Sequence, residues 1–174
     1  MRSFKLIVAI CCFWLISFAA TAQRYAIINS KYILEKLPEY KEAQEKLNTF
    51  SEKWQQEIEK KQAHYDKMYK DFELEQIMLA DDLKKKREDE LFNREKEIRD
   101  LQKRRFGFEG DLFKKRQELI KPIQDRVYIA IQKLAVDKSY DFILDKSEGI
   151  TVIFADPKLD KSDDVLKYLG VAKP

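Results

Sequence analysis

PEYKEAQEKLNTFSEKWQQEI, residues 38–58, decides the fold. Its apolar residues fall at Tyr40, Ala43, Leu47, Phe50 and Trp54, in alternating steps of three and four that place them along one helix face, as in a coiled-coil seam. Pro38 suits the first turn of such a helix, where its missing amide hydrogen costs nothing, and Glu39 suits the positive end of the helix dipole. A further step of four reaches Ile58, and steps of seven then reach Tyr65, Phe72 and Leu79. The extra step of four is a stutter that locally unwinds a supercoil, so the stripe changes phase near Trp54.

Neither glycine nor proline interrupts the chain from Glu39 to Phe106. One straight helix over that span would reach about 100 Å at 1.5 Å per residue, too long to bury its own stripe. Folding back near residues 79–82, with Asp81 as N-cap of the return, lets two arms cover each other. An unbroken helix in an oligomeric coiled coil is the other solution. The return carries Leu83, Leu91, Ile98, Leu101, Phe108, Leu112, Leu119, Ile123, Val127, Ile131 and Leu134 at helical spacing. Gly107, Gly110 and Pro122 weaken it, at about 1 kcal/mol per glycine and about 3 kcal/mol for an interior proline. With the turn near residue 80, Trp54 lies level with Phe106 to Gly110. Trp54, Gly107 and Gly110 are therefore the candidate hinge, which alanine at the two glycines is expected to stiffen.

The two ends of the chain have strand chemistry. Arg24 to Asn29 is one short run; Tyr140 to Asp145 and Ile150 to Ala155 are two more, expected to pair as a hairpin across Lys146-Ser147-Glu148-Gly149. A last helix opens at Ser162 as N-cap, with Asp163 and Asp164 in its first turn and Gly170 as its stop. So little structure cannot cover Ile27, Phe142, Leu144, Val152 and Phe154 on both faces, which points to a homo-oligomer built through this end. The expected fold is mainly α with a small β part: a helical hairpin arm over residues 38–137 on a β-rich oligomerisation hub of residues 23–37 and 138–174.

Residues 1–22 read as a cleaved export signal. Arg2 and Lys5 precede an uncharged apolar run from Leu6 to Phe18, and Ala20-Thr21-Ala22 supplies the small residues for cleavage after Ala22. That run is well short of the ~20 residues a membrane-spanning helix needs. Cleavage removes Cys11 and Cys12, excluding disulfide and thiolate chemistry, and lowers the net charge from +3 to 32 minus 31, or +1. That near-neutral balance argues against nucleic acid as a partner.

Little here suggests catalysis. There is no phosphate-binding glycine loop or nucleophile elbow, so neither an enzyme nor a cofactor is expected. The one histidine, His64, has no second imidazole with which to bind metal and reads as a surface or seam residue. Glu88 with Asp89 and Asp163 with Asp164 read as a solvated helix face and a dipole complement. The triplets Lys103-Arg104-Arg105 and Lys114-Lys115-Arg116 lie 11 residues apart. On one continuous helix they would share a face about 16 Å apart, a candidate grip on anionic lipid headgroups, although interleaved Glu109, Asp111 and Glu118 favour a merely solvated face. Tyr69 and Phe113 fit the stripe least well and are the candidate contacts for an unfolded apolar chain.

The chain resembles the Skp family, the OmpH-like outer-membrane-protein chaperones. The resemblance rests on Tyr25-Ala26-Ile27-Ile28-Asn29-Ser30, on Leu37-Pro38-Glu39-Tyr40, on Arg105-Phe106-Gly107 with Glu109-Gly110-Asp111-Leu112-Phe113, and on Tyr140-Asp141-Phe142-Ile143-Leu144-Asp145 with Asp160-Lys161-Ser162-Asp163-Asp164. It implies a periplasmic, ATP-independent holdase: a trimer whose helical arms enclose unfolded outer-membrane proteins, with lipopolysaccharide as a further partner for basic residues on the arms. A coiled-coil scaffold or spacer of the cell envelope is the second reading.

Overall fold

The computed structural model describes residues 23–147, 149 and 152–171. The cleavage site at Ala20 and Ala22 lies outside the described residues, as do Glu148, Ile150 and Thr151 of the expected hairpin. Strand β1 (Tyr25–Ile28) leads into helix α1 (Ser30–Glu35), whose first turn is capped by Asn29, its side-chain oxygen accepting from the Tyr32 amide at 2.9 Å. Helix α2 (Pro38–Glu75) starts with Pro38 in the first turn, where no donor is lost. After the turn at residues 76–80, the return is divided into α3 (Asp81–Phe106), α4 (Asp111–Leu119) and α5 (Lys121–Lys138). Strand β2 (Phe142–Asp145), a 3-10 turn (Pro157–Leu159) and α6 (Ser162–Tyr168) follow. The fold is mainly α with a small β part, as the hydrophobic periods require.

The hairpin turn falls a few residues before the expected 79–82, and Asp81 is the first helical residue rather than the cap. Pro122 is tolerated because the helix restarts there: Ile120 closes α4, and Pro122 lies in the first turn of α5. Gly170 adopts the left-handed conformation (φ 77°) expected after a helix end.

The expected hairpin between Tyr140–Asp145 and Ile150–Ala155 is not what the described residues form. Strand β2 pairs in parallel with β1, with Tyr25 opposite Phe142 and Ile28 opposite Asp145, so the whole helical arm is the crossover. Asp145, at the strand end, accepts from the amides of Ser30 (3.1 Å) and Ser147 (2.9 Å). Beyond it Val152 is half-buried, and Ile153 and Phe154 are exposed, outside any strand.

Two separate apolar clusters hold the molecule. The larger one joins hub and inner arm, with Ile28, Ile33, Leu37, Leu47, Val127, Leu134 and Val165 among its buried residues. The smaller consists of Ile58, Ile98 and Leu101, with Tyr65 packed against it, and is the seam of the outer arm.

Candidate functional site

The middle level of the arm is its most elaborate. α2 runs through Trp54 without a break, so the stutter is absorbed in one continuous helix; only the return is interrupted. Gly107 closes α3 by donating to the Lys103 carbonyl at 2.8 Å, and Gly110 opens α4 by accepting from the Lys114 amide at 3.1 Å. Neither glycine has positive φ; that conformation falls to Glu109 (φ 53°). The glycines are needed for closeness. A Cβ at position 107 would lie 2.3 Å from the Lys103 carbonyl oxygen, and one at position 110 would lie 2.7 Å from that of Arg104. Alanine there would distort the break rather than stiffen it, which reverses the sequence expectation.

Arg105 packs across this level. Its guanidinium bonds Asp111 at 2.7 Å and Glu57 at 3.1 Å and lies over the Trp54 ring, 4.9 Å from the centroid. Burial pulls its pKa down, but the hydrogen bonds to Asp111 and Glu57 outweigh that and leave it raised. Trp54 meets Phe106 edge to face at 6.5 Å and Phe50 at 5.6 Å, while the Lys115 ammonium lies over Phe50 at 5.3 Å. Trp54 thus meets Phe106 and Arg105, the residues that lead into the break at Gly107 to Gly110.

The two basic triplets do not share a helix face. Lys103-Arg104-Arg105 ends α3, Lys114-Lys115-Arg116 lies within α4, and the break between them removes the continuous turns the 16 Å estimate assumed. Arg105 is engaged as described and Lys115 pairs with Glu118 at 2.7 Å. Lys103, Arg104, Lys114 and Arg116 remain exposed, without ion pairs among the described residues.

Tyr69 and Phe113 are about half exposed, on the outer and inner arm respectively, and Tyr69 stacks on Tyr65 at 6.2 Å. Phe108, placed in the seam by its spacing, stands 98% exposed because the break turns it outward. The tip was also hidden from sequence reasoning: Leu74 and Leu83 at the helix ends and Ile77 and Met78 in the turn between them are all exposed. His64 lines a shallow basin of about 160 Å3 with Lys60, Lys61, Tyr65 and Arg94, and no group of three metal-ligating side chains occurs among the described residues. Of the hub candidates, Ile27 is buried, Leu144 and Val152 are half-buried, and Phe142 and Phe154 are exposed.

The profile of the family described as Outer membrane protein (OmpH-like) matches residues 24–169. The chain belongs to the OmpH-like family. Its fold is similar to the crystal structure of a candidate outer membrane chaperone (OmpH-like) from Caulobacter crescentus CB15, with a TM-score of 0.66 and 16% sequence identity over 87% of this chain and 86% of that one. No match is found among curated proteins. For an OmpH-like chain, the geometry above means a long arm whose apolar side chains are only partly used in its own packing.

Proposed function

We propose that this chain is a periplasmic, ATP-independent holdase that binds unfolded outer-membrane proteins between the arms of a homo-oligomer, a trimer by family resemblance. The observation that carries the reading is the distribution of exposed apolar side chains along a stiff, heavily charged arm: Phe113 and Phe108 at mid-level, Phe92 and Tyr69 further out, and the aliphatic tip. Unfolded β-barrel chains expose alternating apolar residues, and scattered aromatic contacts on a soluble scaffold can hold such segments without fixing one sequence. Exposed Tyr128, Ile129, Phe142, Ile153 and Phe154 near the hub support assembly of several copies through that end. Lys103, Arg104, Lys114 and Arg116, exposed and without ion pairs among the described residues, support a diffuse attraction to anionic lipid or lipopolysaccharide.

The test is whether the purified chain, at stoichiometric amounts and without ATP, keeps an unfolded outer-membrane barrel soluble on dilution from urea. Aggregation of several such clients at the rate seen without the chain would leave the envelope-scaffold reading in its place.

A further inference from the structure

We propose that Arg105 is a latch on a jointed arm: it holds the outer hairpin in one direction, and its release lets that hairpin swing about α2. Three observations converge on this residue. First, the aliphatic packing of the arm gives way at its level to an aromatic and charged contact centred on Trp54. The inner cluster reaches Leu47 and Ile120, the outer one begins at Ile58 and Leu101, and the two are separate. Between them the arms meet through Trp54, Phe50, Phe106 and Arg105.

Second, the covalent connection is asymmetric. α2 is continuous through this level, whereas the return is open from Gly107 to Gly110, so the outer hairpin hangs from one helix and whatever spans the break. Third, one guanidinium spans it. Arg105, on the last turn of α3, reaches Asp111 across the break and Glu57 on α2, with Trp54 beneath. Its Nε is buried without a partner, so the grip rests on the two terminal nitrogens and the ring. The side chains of Arg105, Glu57 and Asp111 are 25%, 40% and 29% exposed, which leaves the grip open to screening by salt. Salt would not weaken a packed apolar seam; it does weaken a guanidinium held between two carboxylates.

The test uses the exported chain, free of Cys11 and Cys12, with spin labels at Lys85→Cys on the outer arm and Gln117→Cys on the inner arm, both exposed positions. Labelled chain is mixed with excess unlabelled chain so that distances within one copy dominate, and no client is present. The parent chain is expected to show one narrow distance distribution at low salt that broadens at 1 M salt. Arg105→Gln is expected to be broad at both, and Glu57→Gln with Asp111→Asn, which leaves Arg105 in place, to match it. Helix content by circular dichroism and exchange protection of the hub amides confirm that the variants are folded. Distributions for both variants identical to the parent at both salt concentrations would overturn the latch, as would a parent already as broad as Arg105→Gln at low salt. Because no client takes part, neither result bears on the holdase reading.

Discussion

Ile98→Ala should loosen the outer arm while leaving the hub unchanged. Ile98, Ile58 and Leu101 form the buried cluster of the outer arm, each 5% exposed or less. Burying a side chain of this size contributes about 1.5–3 kcal/mol, so the three together supply roughly 6 kcal/mol to holding the outer helices together. Truncating one removes about a third of that, near 2 kcal/mol, the low end for a core deletion, because a seam only two helices deep can collapse or admit water. Leu134 is fully buried in the larger cluster, where surrounding residues cannot close the gap, and Leu134→Ala should cost about 4 kcal/mol. The assay is native-state hydrogen exchange. Ile98→Ala should lower protection about thirtyfold at amides of residues 58–72 and 91–101, since 1.4 kcal/mol is a factor of ten. Amides of residues 26–28 and 127–134 should be unchanged. Leu134→Ala should lower protection at the hub amides. An Ile98→Ala variant losing hub protection to the same extent as arm protection would refute the division of the molecule into two clusters.

Acid should loosen the hub. Burial acts to raise the carboxyl pKa values of Asp145 and Asp160, but hydrogen bonds from Ser30 and Ser147 to the first, and from Lys146 and Ser162 to the second, outweigh it and leave both below 3.8. A depressed folded value means stability that is present above about pH 4 and lost as pH falls through the folded values; urea midpoints measured from pH 6 down to 2.5 should fall more steeply than those of Asp145→Asn. Gly107→Ala should destabilise by about 1–3 kcal/mol, the usual cost of forcing an extra carbon into occupied space, read as a shift of the urea midpoint; a stabilised variant would contradict the close approach to the Lys103 carbonyl. Phe142→Asp with Phe154→Asp should dissociate the proposed oligomer without loss of helix content, checked by light scattering; an unchanged mass would remove these two side chains from the interface.

What could be read from the sequence follows from periodicity. Steps of three and four from Tyr40 to Trp54 specify one face of a helix whatever that face packs on, and Ala43, Leu47, Trp54 and Ile58 are buried accordingly. The same logic identified β1, β2 and the terminal helix, and by counting residues along two arms it set Trp54 opposite Phe106, which it meets. Local pattern could not decide which surfaces meet. β2 looked ready to pair with the strand-like run after it, yet it lies in parallel against β1, because pairing across the whole arm is a tertiary choice with no mark in either segment. Phe108 has the spacing of a seam residue and the exposure of a loop, since two close backbone approaches end the helix just before it. In the sequence Arg105 was one of the six basic residues of the two triplets. Only the fold, by bringing Glu57 from α2 and Asp111 from beyond the break to the same guanidinium, separates it from its neighbours.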